Sequence, residues 1–271
     1  MTSGRLLLLL LLAGLSGSLL RLVPERSATL AEATPTDPLF YLEIQPQSIS
    51  RIAPRAGEAG LQEDQRWIGD ILEKLSPQDR QLLRQICADP NTRLAVSVGN
   101  LQREASDVIR IDFLGVAQTS GKHFAAMVAL VEAAIRRAIP PAHYIEMQRN
   151  PRLGVMVGEP PRRLYLYEES PLYMVSNSRA LMLEALEIRY RGHPALAKQP
   201  KYQRLRGAAT GFNGALLYVN LQQLVGRPEL TIAAPFMAAL GVFNLLDLQV
   251  LGYQWDYLQG QVVRRAILIG R

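Results

Sequence analysis

A chain of 271 residues, 48% hydrophobic and 20% charged, belongs to the globular class and is long enough for one domain with a sizeable core. Its net charge of +6 reads as spread along the chain without a block of like charges, whereas a nucleic-acid surface gathers basic residues on one face with aromatics between them, so no nucleic-acid partner is expected. Cys87 is the single cysteine, which excludes an intramolecular disulfide and leaves the fold to stand on its core.

At the N-terminus Arg5 precedes seven consecutive leucines, and no charge follows before Arg21. The uncharged stretch 6–20 is shorter than the roughly 20 apolar residues of a full helical span and has the length of a signal-peptide core. Ala31-Glu32-Ala33 offers the small residues a signal peptidase reads, but lies further from the leucines than usual, so an uncleaved anchor stays open. No cysteine follows the run, which excludes lipoprotein processing. Residues 1–33 are thus expected to be a signal peptide or N-terminal membrane anchor. Residues 34–271 form a single α+β domain, with candidate halves 38–140 and 141–271. The expected location is exported: periplasmic, extracytoplasmic or anchored in the inner membrane.

Beyond a spacer with Pro35 and Pro38, residues 39–44 read as a strand closed by Pro46. Residues 48–60 are loop-like, and helices are expected over 62–75 and 77–86, the second capped by Ser76 with Pro77 in its first turn. Residues 92–98 and 108–117 are strands. Residues 124–138 form a helix with Phe124, Met127, Val128, Val131 and Ile135 on one side, ended by Pro140-Pro141. Short runs at 144–148, 153–157, 164–167 and 172–175, separated by turn residues, favour an antiparallel meander over parallel crossovers. Helices over 178–190 and 200–205 follow, then a strand at 215–219, a helix at 230–240, and strands at 248–257 and 261–269.

The expected fold class is α+β, an antiparallel sheet with helices packed on one face and a closing C-terminal hairpin. Gln259-Gly260 as a two-residue loop sets Tyr257 opposite Val262, Trp255 opposite Arg264, Val263 opposite Asp256 and Arg265 opposite Gln254. The last strand is expected to bury Ile267 or Leu268. Strand-into-helix openings near 40–44 and 217–221 suggest a worn internal duplication.

The stretch Leu172-Tyr173-Met174-Val175-Ser176-Asn177-Ser178, then Leu196-Ala197-Lys198-Gln199-Pro200 and Tyr202, Ala215-Leu216-Leu217-Tyr218-Val219-Asn220-Leu221, Leu240-Gly241 and two closing strands form one pattern. Pro38-Leu39-Phe40-Tyr41-Leu42-Glu43-Ile44 fits its opening. It resembles a broad family of uncharacterised bacterial exported proteins, a domain of unknown function. The resemblance implies an envelope location and carries over no substrate, cofactor or catalytic residue.

Chemistry-bearing motifs are incomplete. Between Gly115 and Lys122 the glycines are spaced wrongly for a phosphate loop, and His123 stands where its hydroxyl belongs. His123, His143 and His193 lie on separate segments without metal-ligand spacing, so no metal or other cofactor is expected. Ser176, Asn177 and Ser178 read as helix caps, Glu168-Glu169 as a solvated turn, and Cys87 as a buried filler. No catalytic residue is expected.

Two features suit binding. Residues 230–246 carry no charge and include Phe236, Met237, Val242 and Phe243. Tyr253, Trp255 and Tyr257 share one strand face, as do Tyr165 and Tyr167. The expectation is a non-enzymatic binding or interaction module tied to the membrane by its N-terminal segment, with an envelope protein or lipid as partner. The alternative is a carrier of lipid or another apolar ligand, which a closed cavity of roughly 300 Å³ would favour.

Overall fold

The computed structural model describes residues 29–47, 76–105, 108–138, 143–146, 152–157, 163–209, 214–225, 247–258 and 261–270. The leucine run and the expected helices at 62–75 and 230–240 lie outside the described residues.

Ten strands form one sheet: β1 (Phe40–Ile44), β2 (Arg93–Ala105), β3 (Val108–Gln118), β4 (His143–Glu146), β5 (Leu153–Val157), β6 (Arg163–Glu169), β7 (Leu172–Ser176), β8 (Ala215–Asn220), β9 (Leu248–Leu258) and β10 (Gln261–Gly270). Their order is β10-β9-β8-β1-β2-β3-β7-β6-β5-β4, and every neighbouring pair is antiparallel. The fold is therefore α+β with an antiparallel sheet and a closing C-terminal hairpin. The sheet runs through both candidate halves, since β3 pairs with β7 and β1 with β8.

The helices are α1 (Pro77–Ala88), α2 (Gly121–Ala138), α3 (Arg179–Arg191), α4 (Pro200–Ala208) and α5 (Leu221–Val225), with 3-10 turns at Leu30–Ala33 and Leu196–Lys198. Ser76 caps α1 by accepting from the Asp79 N–H, and Pro77 occupies the first turn. Helices pack on both faces of the sheet, not on one as expected. Leu114, Val116 and Met174 point to the face covered by the Leu30–Ala33 turn, α3 and α4. Phe113, Ala117, Tyr173 and Val175 point to α2, through Phe124, Met127, Val128, Val131 and Ile135. The reason is central position. All five residues of β7 are buried, so this strand has no solvent side to mark it.

Strand β2 runs seven residues past its expected end at 98. Gly99 is absorbed in a register shift between Val98 and Asn100 rather than forming a turn. The side chain of Leu181 on α3 lies only 2.7 Å from where a Cβ on Gly99 would stand, a close approach that glycine permits.

The order β10-β9-β8-β1-β2-β3 is palindromic. Each half is a short strand followed by a long hairpin with a two-residue connection, and the halves meet antiparallel at Leu42 and Leu217. That arrangement accords with an internal duplication. In the closing hairpin, Trp255 pairs with Arg264, Asp256 with Val263 and Gln254 with Arg265, as the two-residue loop requires. Among the described side chains of the final strand Ile269 is buried, with Ile267 partly buried against the core and Leu268 53% exposed. Leu268 points to the half-open face, so the expectation of Leu268 as a core residue is corrected by one position of the pleat.

Candidate functional site

Strand β9 alternates two environments. Val250, Gln254 and Asp256 are buried on the α4 face, where Leu205 presses on Gly252. Leu251, Tyr253 and Trp255 are half-buried on the other. The Tyr253 and Trp255 rings lie 4.2 Å apart between centroids, tilted by 60°. Trp255 also packs on a cluster formed by Ile44, Ala215, Leu42 and Leu94. Across the strands the same face presents Leu217, Tyr253 and Ala266 in one row, and Val219, Leu251 and Leu268 in the next. Arg264 and Ala266 are exposed at its rim. Two sequence candidates, Tyr253 and Trp255, are thus brought together as an aromatic pair on an apolar, half-open surface. Phe236, Met237, Val242 and Phe243 lie outside the described residues, as does the side chain of Tyr257. Tyr167 is fully buried and Tyr165 half-buried against the core, so that second aromatic stripe is interior.

A polar centre that sequence reasoning missed lies on the α4 face of β1. Glu43 is fully buried. Its Oε2 accepts from the Thr29 hydroxyl at 2.6 Å and the Tyr41 hydroxyl at 2.9 Å, and its Oε1 faces Arg93 at 3.7 Å. Burial, reinforced by the Glu43 charge, raises the Tyr41 hydroxyl well above the usual tyrosine range, so it remains a donor. Burial lowers the Arg93 guanidinium from its ordinary value, while Glu43 opposes that shift. Tyr41, Tyr202 and Tyr218 stack edge-on around this centre, at 5.7 and 5.9 Å. Thr29 also caps the Leu30–Ala33 turn through the Ala31 N–H, and Leu30 and Ala31 are buried in the main core. The packed segment from Thr29 to Ala33 thus lies on the N-terminal side of the expected boundary at 33/34. Alternation in Phe40–Ile44 could have paired Glu43 with Tyr41 on one face, but not told which face is inside.

The remaining candidates are held by structural bonds. The Ser120 hydroxyl donates to Asp89, and the Thr92 and Thr119 hydroxyls share a bond of 2.7 Å, so the would-be phosphate turn is tied to a carboxylate of its own. His123 Nε2 stands 4.0 Å from the same Asp89. Ser178 makes no side-chain cap, contrary to expectation. Instead the Ser176 hydroxyl accepts the Ser178 N–H, while Asn177 accepts from the Phe113 N–H and donates to the Ile111 carbonyl. These side chains continue the β3–β7 ladder where the backbone leaves it. Cys87 is buried in α1.

Glu169 is not merely solvated. It accepts from Tyr167, Tyr190, Arg189 and Arg152. Burial pushes its carboxyl up, but the Tyr167, Arg189 and Tyr190 donors outweigh that and hold it down at about 2. The cluster fastens the β6–β7 turn to the C-terminal end of α3.

Among the described residues no group of three His, Cys, Asp or Glu could hold a metal ion, and no helix is long and apolar enough to cross a membrane. A cavity of about 20 Å³ lies between α2 and β2, β3 and β7, lined by Val96, Gly115, Val131 and Tyr173 among others.

No protein-family profile matches the chain, and no curated protein matches it. Two solved structures are similar to it, both of TP0453. Crystal form III shares 13% identity at a TM-score of 0.45, covering 90% of this chain and 80% of that one. Crystal form I shares 12% at 0.42, covering 89% and 79%.

Proposed function

We propose that the protein is an exported or membrane-tethered envelope module that works by binding a partner and not by catalysis. The observation that carries this reading is the half-open apolar face of β8–β9–β10, with the Tyr253–Trp255 pair at its centre and Leu268 53% exposed beside it. An aromatic pair on a rigid strand loses little side-chain entropy on contact, and adjoining aliphatic rows extend the area that can be buried. The leucine run supports the location, and the resemblance to bacterial exported domains agrees with it. The acids and hydroxyls described above make bonds that hold elements together, and the thiol is buried, which supports a binding role over an enzymatic one.

The test has two arms. A reporter fused after Asp37 is expected to lie outside the cytoplasm, and replacing Leu8 and Leu10 with Arg to block it, since each mid-segment charge costs roughly 2.5–3.5 kcal/mol on insertion scales. An unchanged external signal in that variant refutes the location. A photo-crosslinker at Leu268, in the full chain in its own membrane, is expected to trap a discrete partner that Trp255→Ala loses. Adducts no different from those at an exposed control position, Gln85 in α1, refute this face as the binding surface.

A further inference from the structure

The positive charge is not spread along the chain. Residues 188–228 hold seven basic side chains and no Asp or Glu, whereas the remainder carries 23 basic and 24 acidic ones. Within this stretch Arg189 and Arg191 pair with Glu169 and Glu187. Lys198, Lys201 and Arg204 have no such partner among the described residues. Lys198 is exposed, Lys201 donates to the Gln222 amide oxygen at 2.7 Å, and Arg204 donates to the Gly270 carbonyl at 3.0 Å. Neutral acceptors position Lys201 and Arg204 and leave their charge uncompensated. The three follow one another along the Leu196–Lys198 turn and α4, beside the place where the N-terminal segment joins the domain. The hydroxyl of Tyr202 in α4 lies 3.4 Å from that of Thr29. Only residues 21–28 separate Thr29 from the uncharged stretch 6–20, and eight residues span at most about 29 Å.

We propose that Lys198, Lys201 and Arg204 form a contact for anionic phospholipid headgroups, so that the tethered domain rests with α4 toward the bilayer. This deepens the reading above and rests on its tether. The chemistry is simple. The exposed Lys198 ammonium and the Lys201 and Arg204 groups held by neutral acceptors meet lipid phosphates at the bilayer surface, and a short tether removes most of the cost of encounter. The aromatic face of β9 lies on the opposite side of the sheet from α4. Docking therefore leaves that face free for a partner.

The test uses the full chain in vesicles of phosphatidylcholine alone or mixed with phosphatidylglycerol, both carrying a headgroup quencher. A dye is placed at Ala208→Cys in a Cys87→Ala background. Quenching is expected on the mixed vesicles and not on phosphatidylcholine. It should fade as salt rises from about 0.1 to about 1 M, where the screening length falls from ~10 to ~3 Å. Replacing Lys198, Lys201 and Arg204 by Gln should lower the ratio of docked to undocked domain roughly a hundredfold, while Lys198→Arg and Lys201→Arg keep it. A thermal melt of the glutamine variant at the wild-type midpoint controls for folding. Equal quenching on both lipids, or quenching untouched by the triple substitution, overturns the proposal and leaves an acidic protein surface as the fit for the strip. The tether is read separately, by flotation with phosphatidylcholine vesicles. A chain that fails to float there refutes the tether, and charge-dependent flotation with mixed vesicles then still decides the strip.

Discussion

A cut after Ala33 would remove Thr29 to Ala33 from a folded domain, and the cost follows from their contacts. Leu30 is 2% exposed and Ala31 fully buried in the core that also holds Met182, Leu186 and Leu196. Losing the leucine side chain costs about 2–5 kcal/mol, as for other buried Leu→Ala changes. Losing the Thr29 hydroxyl takes one of two hydroxyl donors from the buried Glu43 carboxylate, which adds about 1–3 kcal/mol. The total rivals the roughly 5–15 kcal/mol stability of a whole domain. A chain beginning at Ser27 is therefore expected to melt cooperatively, and one beginning at Thr34 to melt far lower or not fold. Thr29→Val and Leu30→Ala in the longer chain should divide the loss between donor and packing. The assay is urea denaturation followed by circular dichroism. An unchanged midpoint for the Thr34 chain would refute the reasoning. The mature N-terminus in cells, read by mass spectrometry, is expected upstream of Thr29.

Four further outcomes are expected. Glu169, held near pH 2 by its donors, contributes stability that is present above the ordinary carboxylate pKa of about 4.3 and is lost as pH falls toward 2; Glu169→Gln should flatten that acid dependence in thermal melts. Gly252→Ala places a Cβ against Leu205, which is fully buried, and should cost about 1–3 kcal/mol by overpacking; a wild-type midpoint would mean α4 can shift freely. Cys87→Ala should cost about 1 kcal/mol or slightly more, and the native thiol should resist maleimide; rapid labelling would overturn its structural role. Deleting residues 262–271 removes Ile269 from the core and one of the two strands paired with β9, so the domain should lose its cooperative melt rather than be trimmed.

Local pattern was enough for elements that have one wet side or a distinct terminus. Ser76-Pro77 marked the start of α1, the stripe from Phe124 to Ile135 marked α2, and Gln259-Gly260 defined the β9–β10 register residue for residue. Each is written in neighbours a few residues apart, which is the range over which capping, helical periodicity and hairpin geometry act. The aromatic pairing of Tyr253 and Trp255 was legible for the same reason, being two residues on one strand face.

What only the tertiary structure decided is everything that depends on distant partners. Strand β8 finds β1 across some 170 residues of chain, and that pairing makes both strands central. Strands covered on both faces lose the alternation that reveals an inside, so the helix layer on each side of β3 and β7 could not be read from their residues. The same burial makes Glu43 the acceptor for the Thr29 and Tyr41 hydroxyls, with Arg93 facing it as an ion pair. The charge asymmetry of 188–228 was countable in the sequence. Its place beside Thr29 was not, because a patch is a property of surfaces brought together by packing and not of the order of residues.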